Sequence, residues 1–207
     1  MKVKVILNPY ANRWNALKRK PEVEAALQKA GIDFEINSSE RPGHLIELAA
    51  QAVKEGFEYI IAAGGDGTIN EVVNGIQKSA GNQQPATLGI LPLGSANDLV
   101  VNIGIPKELD AAAHVISQGN IKYLDLCEVN QRYFVNNAAI GLEPSITVIQ
   151  ESIKKISGVP RYLLAAVRVL CAIQAGRCTF TGMVENLKGR SLWSQLEMHL
   201  SLVVCSI

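Results

Sequence analysis

The chain has 207 residues, 48% of them hydrophobic, and a formal net charge of +1. That length suits one large domain, or one domain plus part of another, with ample core, and the balanced charge argues against a nucleic-acid partner. Met1 leads directly into Val3-Lys4-Val5-Ile6-Leu7 without the charged and apolar regions of a secretory signal, and the later apolar stretch Tyr162 to Ala175 is short and broken by Arg168. A cytoplasmic protein with at most peripheral membrane contact is expected. Cys127, Cys171, Cys178 and Cys205 lack any metal-ligand spacing and read as reduced thiols.

In chain order, Val3–Leu7 predicts a strand closed by Asn8-Pro9. Pro21–Ala30 has helical periodicity (Val23, Ala26, Leu27, Ala30) and stops at Gly31, a C-terminal cap. Ile32–Ile36 alternates like a strand, and Gly43–Glu55 returns to helical spacing before Gly56. Tyr59–Ala63 is a third apolar strand running into Gly64-Gly65-Asp66-Gly67-Thr68. Ile69–Ile76 predicts a helix, Thr87–Leu91 a fourth strand, and Ala96–Ile103 a short helix capped by Gly104. Such alternation implies an α/β fold with a parallel sheet covered by helices, and in such sheets ligands bind at loops leaving the carboxyl ends of strands. The candidate loops are Asn8-Pro9, Gly64–Thr68 and Pro92-Leu93-Gly94-Ser95.

Beyond Lys122 the texture becomes strand-like at Tyr123–Val129 and Tyr133–Ala139, then helical at Pro160–Ala175. Further strand-like runs follow at Arg177–Val184 and Glu197–Val204. The expected organisation is an α/β nucleotide-binding domain over residues 1–122 and the start of a β-rich second domain over 123–207. Apolar surface left open on an unfinished second domain would favour self-association into homo-oligomers.

Gly64-Gly65-Asp66-Gly67-Thr68-Ile69-Asn70 carries the strongest chemical signal. Its glycines permit unusual backbone angles and close approach of a phosphate, and the following helix points free N–H groups at an anion. Asp66 beside phosphates makes sense if a divalent cation intervenes or if it accepts a proton or hydrogen bond from a substrate hydroxyl. The plain alternative is a tight turn capped by Asp66 or Thr68.

This string resembles the glycine-glycine-aspartate-glycine-threonine signature of the diacylglycerol kinase catalytic domain family. Ile69-Asn70-Glu71-Val72-Val73-Asn74-Gly75 is similar to its bacterial diacylglycerol kinase and YegS-like branch. Leu91-Pro92-Leu93-Gly94-Ser95-Ala96-Asn97-Asp98, then Tyr123-Leu124-Asp125-Leu126 and Phe134-Val135-Asn136-Asn137, follow in family order. The resemblance implies the fold of the NAD kinase and diacylglycerol kinase type. It also implies ATP and Mg2+ as cofactors and an ATP-dependent lipid kinase acting on diacylglycerol or a related lipid at a membrane surface. Carried over by position, Asn8, Pro9, Ser39, Gly64, Gly65, Asp66, Gly67, Thr68, Ile69, Asn70, Ser95 and Asn97 would contact the nucleotide. Asn97, Asp98 and Asp125 would help organise the metal and water network near the phosphoryl group, and Asp66, Asp98 and Asp125 are the candidate catalytic residues, with the direct metal ligands left open.

Where the family has Ser-Gly in the first loop, this chain has Tyr10-Ala11-Asn12, and no Asp-Gly pair follows Arg177 to supply the family's general base. A nucleotide-binding module without kinase activity, and an NAD kinase, are therefore alternatives. Trp14 and Trp193 read as packing residues, and His44 as a cap or surface residue. Tyr162, Leu163, Val167 and Leu170 read as either a core stripe or the lining of an acyl-chain cleft.

Overall fold

The computed structural model describes residues 3–80, 86–136, 146, 148, 149, 153, 159–172 and 198–205. They belong to two compact units, residues 1–136 with 196–207 and residues 137–195. The first unit contains strands β1 (Val3–Leu7), β2 (Phe34–Ser38), β3 (Tyr59–Gly64), β4 (Thr87–Pro92), β5 (Ile121–Val129), β6 (Arg132–Phe134) and β7 (Met198–Cys205). Its helices are α1 (Asn15–Lys18), α2 (Lys20–Lys29), α3 (His44–Lys54), α4 (Asp66–Ala80), α5 (Asp98–Ile103) and α6 (Leu109–Gln118).

The strands form one sheet in the order β2-β1-β3-β4-β7-β5-β6. β1 to β4 are parallel, as expected of an α/β fold. β7 joins β4 in parallel at Leu88 and Val204, and β5 runs antiparallel to both β7 and β6. β1 is buried along its whole length, and β3 and β4 everywhere but their first residues, so both faces must be covered. Helices α3 and α4 pack together, as do α2 and α6. Edge strand β2 instead alternates half-buried and exposed residues. Lys4, buried in β1, holds its Nζ over the Phe57 ring, 4.8 Å from the centroid, and reaches Glu35 at 3.0 Å.

The expected helix ends hold. Gly31 and Gly56 take left-handed conformations at φ 69° and 79°, which ends α2 and α3 where a residue with a Cβ would be strained. Two helices escape the sequence reading: α1, of four residues, and α6, which buries Leu109, Ala112, Ala113, Val115 and Ile116. α4 also begins three residues earlier than expected, at Asp66.

In the second unit, α7 (Val159–Ala172) buries Ala165 against Ile146, with Ile149, Ile153 and Ala166 packed around them. Tyr162, Leu163 and Val167 are exposed, so none of the three is core. The strand expected at Arg177–Val184, the distal part of Tyr133–Ala139 and Trp193 lie outside the described residues. Among the described residues no helix is long and apolar enough to cross a membrane.

Gly75 marks the tightest point between α3 and α4. A methyl group built there would run into the Ile46 carbonyl oxygen and sit 2.6 Å from Ala49 Cβ. Gly75→Ala should therefore lower stability in urea unfolding by about 2 kcal/mol, because the clash outweighs the roughly 1 kcal/mol by which alanine favours a helix. Gly67→Ala, in the same helix but with no atom within 4 Å of the added carbon, should stay within about 1 kcal/mol of the parent. Equal stability of the two variants would contradict this packing.

Candidate active site

Strands β1, β3 and β4 end side by side, and their three loops are joined by specific bonds. The Gly64 carbonyl at the end of β3 accepts the Leu93 and Gly94 N–H groups of the β4 loop, at 2.8 and 3.2 Å. The loops come together most closely at Gly65 and Gly94. A Cβ on Gly65 would lie 3.0 Å from the Gly94 Cα, and one on Gly94 would strike the Gly65 Cα and crowd Asn97 Oδ1 at 2.6 Å.

Space, not backbone conformation, therefore explains these glycines. Gly64, Gly65 and Gly67 all have ordinary negative φ, contrary to the expectation that they supply unusual angles. A Cβ on Gly64 would collide with the Thr68 side chain, whose Cβ is 2.5 Å away. Gly67 differs from the other two, since the space above it is open to an approaching group.

Asp66 is not a loose loop carboxylate. It is the first residue of α4, and it spans the gap to α5: Oδ1 accepts the Leu99 N–H at 3.0 Å and Oδ2 the Asp98 N–H at 3.2 Å. These are the first N–H groups of a helix whose own N-cap residue, Asn97, makes no side-chain cap. The Asn97 side chain turns back instead, accepting from Gly94 N at 3.1 Å and donating to Gly94 O at 3.0 Å, with its backbone left-handed at φ 55°. The negative charge of Asp66 thus meets the positive end of α5. Each carboxylate oxygen retains a lone pair that can accept a water molecule or approach a cation.

The other candidate residues sort by position. Asn8 Nδ2 donates to Thr68 Oγ1 at 2.9 Å, and Asn8 Oδ1 accepts the Tyr10 N–H at 3.0 Å, so one amide shapes the first loop and binds it to the second. Pro9 is buried directly after it. Ser95 Oγ donates to Asn12 Oδ1 at 2.9 Å, joining the first loop to the third. Ser39 is buried at the end of β2, where its N–H donates to the Leu7 carbonyl. Ile69 is core, whereas Asn70 has a buried side-chain oxygen with no hydrogen-bond partner among the described residues. Asp98 is exposed beside Asp66. Asp125 is exposed on β5, with no hydrogen bond to either among the described residues. Its charge acts on Cys127, whose thiol is pushed up first by burial and then by Asp125. No three His, Cys, Asp or Glu side chains converge on a metal-binding position among the described residues.

Next to this cluster lies a cavity of about 320 Å³, lined by Asn8, Tyr10, Ser39, Arg41, Pro42, Leu45 and Glu71. Tyr10 closes one side, its hydroxyl donating to the Glu40 carbonyl at 2.8 Å and its ring meeting Trp14 edge-on at 4.2 Å. Trp14, read as a packing residue, is 58% exposed. His44 opens α3 without capping it: its Nδ1 accepts the N–H of Glu40, in the preceding loop, at 3.1 Å. Tyr10 and Glu71 were not singled out from sequence. Glu71 had a usable signal, because it lies three residues after Thr68 and so on the same helical face.

A second clamp was also hidden. Buried Asn74 on α4 accepts the Tyr133 N–H at 3.0 Å and donates to the Tyr133 carbonyl and the Asn70 carbonyl, both at 2.8 Å. One amide thereby pairs with β6 as a neighbouring strand would, and fixes the start of Phe134-Val135-Asn136 against the helix of the glycine-aspartate loop.

Residues 2–129 match the family described as the diacylglycerol kinase catalytic domain. A protein named diacylglycerol kinase from Staphylococcus saprophyticus is 31% identical over 175 residues, covering 84% of this chain and 56% of that protein. One of the same name from Staphylococcus aureus is 32% identical, covering 84% and 55%. The crystal structure of a diacylglycerol kinase from Bacillus anthracis str. Sterne superimposes with a TM-score of 0.56 at 29% identity, covering 65% of this chain and 48% of that one. The chain thus spans about half the length of these relatives.

If Asp66 caps α5, its removal weakens the fold even with no metal or nucleotide present. In EDTA, Asp66→Ala should lower the unfolding free energy by about 1–2 kcal/mol. A residue present only to hold a cation would leave metal-free stability unchanged or raise it, and that result would contradict the cap.

Proposed function

Since the chain belongs to the diacylglycerol kinase catalytic domain family, we propose that it is an ATP-dependent lipid kinase, transferring the γ-phosphoryl group to the hydroxyl of diacylglycerol or a related lipid. The observation that carries this reading is the lock between the glycine-aspartate loop and the β1 and β4 loops, beside a cavity large enough for a nucleoside. Phosphoryl transfer asks a protein mainly for positioning and charge stabilisation. A preassembled cluster of loops supplies the first.

The residues fit a nucleotide. The open face over Gly67 leaves room for phosphates at the start of α4, where first-turn N–H groups lack intrahelical acceptors. Asn8, Thr68 and Ser95 bring side-chain polar groups to the same rim. A divalent cation, when bound, would neutralise charge building up between the β- and γ-phosphates. Asp66 and the exposed Asp98 stand together and have lone pairs to spare for it or its waters. In the transfer itself, the lipid hydroxyl oxygen bonds to the γ-phosphorus, the bond to the β,γ-bridging oxygen breaks, and ADP leaves. The hydroxyl proton passes to a base; the resemblance would draw that base from an Asp-Gly pair, which does not follow Arg177, and among the loop residues Asp66 is the candidate to accept the proton. Nucleotide binding is assigned to loops within residues 1–122, and the lipid acceptor to elements within 123–207, at a membrane surface that the protein meets peripherally.

The test is transfer of labelled γ-phosphate from ATP to diacylglycerol in mixed micelles with magnesium, comparing this chain with Asp66→Ala at a temperature where both are folded. Labelled lipid with the parent, and at least about a hundredfold less with the variant, is expected. ATP binding without lipid labelling would leave a nucleotide-binding module, and labelling of NAD instead of lipid would make it an NAD kinase.

A further inference from the structure

The first loop departs from the family pattern, and the chain puts a basic and aromatic turn in its place. Trp14 is 58% exposed, Leu17 48% and Tyr10 38%, so three large apolar side chains meet solvent within one short stretch. Cations stand among them. Arg19 pairs with Glu22 at 2.8 Å and Lys20 with Glu24 at 3.8 Å. Arg13 and Lys18, both exposed, have no acidic partner among the described residues.

The backbone holds this display at a cost. Asn12, Arg13 and Trp14 all lie in the left-handed region, at φ 50°, 56° and 71°, which burdens arginine and tryptophan more than asparagine. Three such residues in a row persist because their surroundings fix them. Asn12 Oδ1 accepts the Ser95 hydroxyl, the Trp14 N–H donates to the Tyr10 carbonyl at 3.3 Å, and the Trp14 ring meets that of Tyr10 edge-on. A strained turn that keeps an indole in water is suited to a partner that takes the ring out of water.

A bilayer with anionic headgroups is the partner that fits. Tryptophan and tyrosine settle at the headgroup level, apolar body inward and polar tip in water. Arginine and lysine beside them are drawn to lipid phosphate. Three side chains on one turn offer far less than the roughly 800 Å² per partner of a stable protein interface, whereas a bilayer accepts a small wedge.

We propose that the turn from Tyr10 to Lys18 is a membrane anchor, in which Trp14 and Leu17 enter the bilayer interface while Arg13 and Lys18 hold anionic headgroups. Tyr10 lines the cavity and Asn12 is bonded to Ser95 of the β4 loop, so the anchor sits on the rim of the candidate site. It brings the phosphate loops to the surface where a lipid hydroxyl lies. That purpose rests on the lipid-kinase reading; the binding itself does not.

The experiment is sedimentation of the full chain, without ATP, on vesicles of equal parts phosphatidylcholine and phosphatidylglycerol. The parent should bind. Trp14→Ser with Leu17→Ser should bind at least about tenfold more weakly, because two apolar side chains no longer leave water. Arg13→Gln with Lys18→Gln should lose about 10- to 30-fold, the worth of two cations at such a surface. All four side chains are exposed, so both double variants should melt near the parent. A second readout leaves the turn intact. With Trp193→Phe, Trp14 is the one tryptophan remaining, and its emission should shift to the blue on vesicles and be quenched by lipids brominated along the acyl chain. No binding by the parent, unchanged binding by the folded double variants, or Trp14 emission that ignores vesicles would overturn the anchor. A dimer that the Trp14 and Leu17 substitutions dissociate, without vesicle binding, would give the turn to a second copy and overturn it too. A chain that labels diacylglycerol in micelles yet ignores vesicles loses the anchor and keeps the kinase reading; one that binds through Trp14 but labels no lipid does the reverse.

Discussion

Two strand-ending loops touch backbone to backbone at Gly65 and Gly94, and the rest of the site depends on that contact. Any side chain at either position would drive the loops apart. Their closeness lets the Gly64 carbonyl accept two N–H groups from the β4 loop and lets Asp66 reach the first turn of α5. Asn8 and Ser95 then tie in the β1 loop from its two sides. The ends of β1, β3 and β4 are thus held in one arrangement by contacts within the protein, and preorganisation of that kind is the condition under which aimed dipoles and donors act most effectively.

This arrangement changes how the glycine-aspartate string is read. A loop that only cradled phosphate would need its glycines for the ligand alone. Here Gly64 and Gly65 serve the approach of protein to protein, Asp66 serves a helix end, and Gly67 alone looks onto open space. The proposed function would give Asp66 a chemical duty besides this structural one, so any loss of activity on its removal has to be weighed against loss of its cap. The Asn74 clamp on Tyr133 extends the same logic outward, carrying the position of α4 to β6.

The sheet was legible in the sequence because central strands bury both faces and leave unbroken apolar runs, as Tyr59–Gly64 and Thr87–Pro92 do. Helix ends were legible where Gly31 and Gly56 stand. The true start of α4 was not, because Asp66-Gly67-Thr68 has the composition of a loop although it is the helix's first turn. Helix α6 went unread although Leu109, Ala112, Ala113 and Ile116 repeat at helical spacing. The three candidate loops were legible as the ends of apolar strands, but not what joins them. Asp66 meets Leu99 across 33 positions and Asn74 meets Tyr133 across 59, distances at which local periodicity carries no information. Tyr10 stood out only as part of a departure from the family's first loop, since its place in the cavity wall follows from a hydroxyl bond to Glu40.

Hydrogen–deuterium exchange of this chain with and without ATP and magnesium tests most directly whether the locked loops are the nucleotide site. Slower exchange on adding ATP is predicted in residues 8–12, 39–45, 64–71 and 93–99 together, with the α2–α6 surface unchanged. Absence of protection across 64–71, or protection confined to another part of the chain, would contradict the account.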